Sequence, residues 1–266
     1  MPCGVDRGAQ ESSKQARVTL RRHAQPFLPI PPEIIGASVL LAHNLLVHRA
    51  LRPPADAALN LASAIGLTAF AMSTGCSAAE LGLDRADLKK GLKMGSIAAA
   101  CCSTGLGLAA AFPSTRRFFL DARLRGMSRR ETLYHASLRI PVATALAEEI
   151  MFRSALHALF AREHSVRTTL TWTSFLFGLW HILPTLDTFE GNPAANIVQD
   201  PGRARLMAAL GITGTTTAAG LFFSYLRLRS RSVAAAVVTH AAINIVALVI
   251  GKALVDRPRV NHPVRG

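Results

Sequence analysis

The segment VAAAVVTHAAINIVALVIGKAL, residues 233–254, decides the class of fold to which this sequence belongs. Apart from one threonine, its only strongly polar residues are His240, Asn244 and Lys252. A helix needs roughly 20 mainly apolar residues to cross the hydrocarbon core of a bilayer. The segment therefore predicts a transmembrane helix, and the polar residues inside it call for a functional explanation.

Similar apolar blocks recur along the whole chain, separated by short basic segments. The chain has 266 residues, of which 50% are hydrophobic and 17% are charged. Its apolar blocks lie near residues 34–50, 55–75, 94–113, 132–160, 166–185, 205–228 and 233–254. Because these blocks lack a sustained polar face, they favour a membrane bundle over a soluble one. The sequence predicts an all-α, multi-pass transmembrane bundle with about seven or eight spans.

The remaining segments are polar. Residues 1–33 are basic and then proline-rich, which predicts a disordered tail, and residues 255–266 predict a short polar tail. The integral membrane domain is accordingly expected at residues 34–254. The basic stretch 116–130 predicts an amphipathic helix on the membrane surface.

The net charge of +14 arises mainly from Lys and Arg at the ends of the apolar blocks. There they meet lipid headgroups. No basic stripe alternates with aromatic residues, so the expected partner is a lipid bilayer and not a nucleic acid. The four cysteines, Cys3, Cys76, Cys101 and Cys102, lack the spacing of zinc or redox motifs.

The block 132–160 contains a group of charges in the motif EEIMFR, residues 148–153. Ionisable groups at membrane depth are costly and usually functional. Glu149 precedes Arg153 by four residues, which is the favourable order for an ion pair on one helix face. Glu148 is rotated by about 100° from Glu149, so it is left available for chemistry. Alternatively, all three residues form one buried structural cluster.

Two other blocks carry polar residues at a spacing of four. Phe177 and His181 share a helix face, and so do His240 and Asn244. Taken separately, a histidine near a helix end is typical of the membrane interface. A His–Asn pair is typical of a hydrogen bond between helices.

Two features predict helix packing instead of chemistry. The run AALGITGTTTAAG in block 205–228 consists mostly of small residues and predicts a helix that neighbouring helices approach closely. Its threonine hydroxyls are expected to bond to backbone carbonyls of their own helix. His43 and Asn44 in the first block are interpreted as polar contacts between helices.

Together, a carboxylate, two histidines and an asparagine form a set suited to hydrolysis. Glu148, assisted by His181, could accept a proton from water. His240 and Asn244 could donate hydrogen bonds to the oxyanion that forms when water attacks an amide. Alternatively, Glu148, His181 and His240 could bind Zn²⁺ with one position open for water. The residues alone leave both mechanisms open, although the zincin motif HExxH is absent.

The three motifs resemble, in order, the signatures EExxxR, FxxxH and HxxxN of the CPBP family of intramembrane proteases. This family, also called Abi, includes CAAX prenyl protease 2, the Ras-converting endopeptidase. The matching stretches are EEIMFR at 148–153, FGLWH at 177–181 and HAAIN at 240–244. The resemblance covers about residues 130–250.

The resemblance implies an intramembrane endopeptidase acting on a membrane-associated or lipidated protein or peptide. Glu148 would activate water, His181 would assist it, and the third signature would stabilise the oxyanion. The residues that would support the site are Glu149, Arg153 and Phe177. The family's favoured mechanism needs no cofactor, with Zn²⁺ as the alternative.

The same resemblance, with the Ala- and Arg-rich composition, leads us to expect a bacterial cytoplasmic membrane. A function of another class stays open at this point. The chain could be a non-catalytic membrane scaffold, or a bacteriocin-immunity type protein that binds a partner peptide.

Overall fold

The computed structural model describes residues 30–51, 55–189 and 199–256, and these ranges contain helices and no strands. The predicted all-α bundle is confirmed. Its main helices are α1 (Pro32–Ala50), α2 (Ala55–Ser73), α3 (Arg85–Ala111), α4 (129–163), α5 (Val166–Trp180), α6 (Ile182–Thr188), α7 (Pro201–Ser230) and α8 (Ala234–Val255). Most of both predicted tails, including Cys3, lies outside the described residues.

Helices α2, α3, α7 and α8 are long and apolar enough to cross a membrane, by length and composition. The other apolar blocks of the sequence are also helical and form α1, α4, α5 and α6. The chain is therefore a multi-pass membrane protein. The count of seven or eight spans stays a prediction.

The geometry of α4 changes several times along its length. It is built from α-helix Arg129–Tyr134, π-helix His135–Leu146, α-helical turn Ala147–Glu149, π-helix Ile150–Leu156 and α-helix His157–Glu163. Pro141, which lacks a backbone N–H, lies inside the first π-helical part. Glu148 and Glu149 thus lie on a short α-helical turn between two π-helical parts. Turns of the π type are frequent at functional sites.

The core of the bundle surrounds the second half of α4, where residues 151–160 are all buried. Helix α8 is held beside α3 at small residues. A Cβ atom on Gly95 of α3 would lie 2.8 Å from the carbonyl oxygen of Ala235 on α8. This close approach fixes α8, the helix that carries His240 and Asn244.

Helices α5 and α7 pack closely, as the small residues of α7 predict. A Cβ atom on Gly178 of α5 would lie 2.7 Å from the carbonyl oxygen of Thr213 on α7. The hydroxyls of Thr213, Thr215 and Thr216 donate to carbonyl oxygens one turn earlier in α7. The close packing is confirmed, but the prediction for the hydroxyls is wrong for Thr217, whose buried Oγ1 has no hydrogen-bond partner in the described part of the chain.

The prediction of an amphipathic helix at residues 116–130 is wrong. This stretch contains only short helical turns, Arg117–Phe119 and Ala122–Leu124, before α4 begins. The carboxylate of Asp121 accepts a hydrogen bond from the backbone N–H of Arg123 at 2.9 Å, which starts a new turn. Gly126 has a φ of +81°, a backbone conformation that does not continue a right-handed helix.

Candidate active site

Glu149 and Arg153 form a buried ion pair on α4. The Nε and Nη1 atoms of Arg153 lie 3.3 Å from Oε2 and Oε1 of Glu149, respectively. Their side chains are 0% and 1% exposed, so water screens neither charge. The pairing predicted from the spacing of four is therefore present. A buried charge without a partner would be strongly destabilising, which makes each residue dependent on the other.

Aromatic rings enclose the Arg153 guanidinium. Its Cζ atom lies 3.9 Å from the ring centroid of Phe177 and 5.3 Å from that of Phe223, so both rings are within range of a cation–π interaction. Gly220 of α7 leaves the necessary space, because a Cβ atom there would lie 2.9 Å from Nη2 of Arg153. Phe177, a predicted supporting residue, thus packs directly against the ion pair.

Glu149 also binds His240 of α8. The Nδ1 atom of His240 lies 2.8 Å from Oε1 of Glu149. An ionised carboxylate only accepts hydrogen bonds, so Nδ1 carries the proton and Nε2 is left for other interactions. The ring of Phe223 stacks on His240 with centroids 5.2 Å apart and an interplanar angle of 20°. Glu149 therefore joins Arg153 to His240.

His181 faces Glu148 across a short gap. The Nδ1 atom of His181 lies 2.8 Å from the carbonyl oxygen of Phe177, so Nδ1 carries a proton and Nε2 of the neutral ring is an acceptor. Nε2 lies 3.9 Å from Oε2 of Glu148, which is too long for a direct hydrogen bond and suits a bridging water. That Oε2 atom is buried and has no hydrogen-bond partner in the described part of the chain. Nε2 of His181 and Oε2 of Glu148 are thus two hydrogen-bond acceptors that face the same gap.

The end of α5 sets the position of His181. Pro184 has no N–H to donate to the Trp180 carbonyl four residues earlier, so the helix cannot continue unchanged there. Helix α5 accordingly ends at Trp180. The side-chain amide of Asn44 donates to the free Trp180 carbonyl at 3.1 Å.

Asn244 lies one turn after His240 on α8 and is partly exposed. Within the described ranges it makes no hydrogen bond to the other candidate residues. Its expected contact is with a substrate, so its role stays a prediction.

The donor set does not fit a metal centre with three protein ligands. Over the described residues, no three His, Cys, Asp or Glu side chains are arranged to hold a metal ion. We therefore derive no catalytic step through a metal ion.

Sequence spacing did not reveal all of these contacts. Phe223 lies in a block that was interpreted only as a packing helix, and no local motif marks it. The bond between Glu149 and His240 joins two helices that are far apart in sequence, so neither motif alone predicts it.

The fold and the buried polar cluster define a multi-pass, all-α membrane protein with acidic and histidine side chains brought together inside the bundle. Residues 131–246 match the family model for type II CAAX prenyl endopeptidase Rce1-like proteins. The segment that carries the three motifs is thus similar to the Rce1-like, or CPBP, family, and the resemblance seen in these motifs is confirmed. No curated protein and no solved structure matches the chain significantly.

Proposed function

We propose that this protein is an intramembrane endopeptidase that hydrolyses a peptide bond of a membrane-associated or lipidated protein, with Glu148 activating water. The Rce1-like domain supports an endopeptidase of this type. The observation that carries the mechanism is the 3.9 Å gap between Oε2 of Glu148 and Nε2 of His181.

In this mechanism, a water molecule in the gap donates one O–H to Glu148 and the other to His181. Because both O–H groups are then engaged, a lone pair on the water oxygen is free to attack the substrate carbonyl. Glu148 takes the proton as the C–O bond forms, which is general-base catalysis. The same proton then passes to the amine nitrogen as the C–N bond breaks.

The oxyanion formed in this attack needs hydrogen-bond donors. The amide of Asn244 can donate without a change of protonation state. His240 already donates Nδ1–H to Glu149, so donation from Nε2 requires a cationic ring. Glu149 lies where it stabilises that cation.

A cleavage assay tests the proposal. The purified protein is placed in liposomes that contain a library of peptides with a membrane-anchored end, and products are identified by mass spectrometry. We expect defined cleavage products with the wild-type protein and none with His181→Ala. A scaffold or immunity protein would instead bind a peptide without cutting it, and binding without cleavage would refute the endopeptidase.

A further inference from the structure

Two consecutive residues of α1, His43 and Asn44, contact the candidate site from outside the matched segment 131–246. The amide of Asn44 donates to the backbone carbonyl of Trp180 at 3.1 Å. The ring of His43 stacks on the ring of Trp180, with centroids 5.1 Å apart and an interplanar angle of 20°. Both residues are buried. They hold the backbone and the side chain of the residue that directly precedes His181.

His43 is also linked to the helix that carries Glu148. Asn60 of α2 donates a hydrogen bond from Nδ2 to the carbonyl oxygen of Ala143 at 3.0 Å. The other amide atom, Oδ1 of Asn60, is therefore the acceptor for the Nε2–H of His43, at 2.9 Å. Nδ1 of His43 then accepts from the hydroxyl of Ser63 at 2.7 Å. Ala143 lies on α4 five residues before Glu148. One hydrogen-bond chain thus reaches the helix of Glu148.

We infer that His43 and Asn44 are positioning residues that set the gap between Glu148 and His181. The inference rests on the proposed function, because the gap is where the water is activated. Trp180 is adjacent to His181, and Ala143 shares the helix of Glu148, so α1 connects the two halves of the site. If these residues only made the polar contact between helices that the sequence suggested, their loss would lower stability alone. If they position the catalytic groups, their loss also lowers the rate of the chemical step.

Pro184 provides a test of the role of Asn44. Asn44→Ala leaves the buried Trp180 carbonyl without a donor, and we expect the midpoint of thermal unfolding to fall by several degrees. Pro184→Ala restores a backbone N–H four residues after Trp180, so the double variant should regain its thermal stability. Because α5 then continues through His181, cleavage should stay low. If the double variant recovered both stability and cleavage, Asn44 would be a structural contact only.

Steady-state kinetics test the role of His43. Small displacements of catalytic groups lower the rate of the chemical step, so His43→Ala should reduce kcat by about tenfold or more with KM little changed. The matched control is His48→Ala, on the same helix but bonded to Asp187 and not to the site. An unchanged kcat in folded His43→Ala protein, or a rise in KM alone, would overturn the inference.

A spectroscopic experiment separates this inference from the proposed function. The chain has two tryptophans, so Trp172→Phe leaves Trp180 as the single tryptophan. In that background, His43→Ala should change the fluorescence of Trp180, whereas His48→Ala should not. If the wild type fails to cleave, the proposed function fails, while this signal still reports on the contact. Identical spectra for both variants would refute the contact whatever the activity.

A second observation concerns a groove of about 520 Å³ between α3 and α7, two helices long and apolar enough to cross a membrane. Lys90 and Lys93 line it together with apolar side chains, among them Met94, Ile97 and Phe222. Both lysines are exposed, and neither has an ion-pair partner in the described part of the protein. Basic residues near the end of a membrane helix attract anionic headgroups.

The geometry points to a binding site for an anionic phospholipid of the surrounding bilayer. Lys90 and Lys93 precede Met94 and Ile97 on α3, so the charges lie nearer the helix end and the apolar part lies deeper. The phosphate would bind the two ammonium groups, and one acyl chain would lie along the groove.

Lipid-dependent stability tests this site. We expect phosphatidylglycerol to raise the midpoint of thermal unfolding more than phosphatidylcholine does, and native mass spectrometry should detect the bound lipid. The double variant Lys90→Gln/Lys93→Gln should abolish the difference in unfolding midpoint between the two lipids. Lys89→Gln is the control, because Lys89 is also exposed but does not line the groove. An equal rise of the midpoint with both lipids would overturn the proposal. So would a loss of the difference between the lipids in Lys89→Gln as large as in the double variant.

Discussion

The Nε2 atom of His181 lies 3.9 Å from Oε2 of Glu148, and separate parts of the fold fix the two side chains. The carbonyl of Phe177 holds Nδ1 of His181, which leaves Nε2 as an acceptor. Glu148 follows the first π-helical part of α4 and precedes Glu149, which is bonded to Arg153 and His240. The gap between two acceptors is the feature from which the proposed water activation follows.

Removal of the buried cation should destabilise the protein. In Arg153→Ala the carboxylate of Glu149 loses its ion-pair partner in the core, and breaking such a pair costs about 3–5 kcal/mol of unfolding free energy. Equilibrium unfolding in detergent, followed by circular dichroism, measures this loss. Arg167→Ala is the control, since Arg167 is exposed on α5. If Arg153→Ala lost no more unfolding free energy than Arg167→Ala does, the structural role of the Glu149–Arg153 pair would be contradicted.

Glu149 and His240 should act as a unit. Glu149→Gln removes the charge that stabilises a cationic His240, and His240→Ala removes the ring itself, so the second change should add little to the first. A double-mutant cycle on kcat/KM should give a coupling free energy of about 0.5–3 kcal/mol. Effects that add within about 0.5 kcal/mol would show that the 2.8 Å hydrogen bond has no part in catalysis.

The space beside Arg153 should tolerate no larger residue than glycine. In Gly220→Ala the new methyl group would lie 2.9 Å from Nη2 of Arg153 and 3.1 Å from Cα of Ser174. Overpacking of this kind costs about 1–3 kcal/mol of unfolding free energy.

Gly211→Ala on the same helix is the matched control. No atom lies within 4 Å of its added Cβ, so this change should be neutral or stabilising by up to about 1 kcal/mol. Thermal or chemical unfolding of the two variants measures the difference, and equal stabilities would contradict the close packing of α7.

Activity should not depend on a bound metal ion. The described candidate residues do not form a three-ligand site, so we expect purified protein to retain cleavage after exhaustive treatment with a chelator. Elemental analysis alongside the assay completes the test. Stoichiometric zinc, with activity lost on chelation and restored by Zn²⁺, would refute the metal-free mechanism.

The sequence predicts contacts within a helix well, because residues four apart share a face. The Glu149–Arg153 pair and the all-α bundle follow from such local patterns. Contacts between helices do not follow from local patterns, because the spacing of residues within α4 does not indicate how α8 or α1 packs against it. The Glu149–His240 bond and the network around His43 therefore required the fold. The stretch 116–130 shows the same limit, as Asp121 and Gly126 interrupt a predicted helix.

The most direct test of the proposed mechanism is the cleavage rate of Glu148→Gln in liposomes. Glutamine keeps the size of the side chain but cannot take a proton from water, so cleavage should fall by about 10²–10⁴-fold at unchanged thermal stability. Glu163→Gln at the exposed end of α4 is the control and should cleave as the wild type does. Cleavage by Glu148→Gln at the wild-type rate would contradict water activation by Glu148.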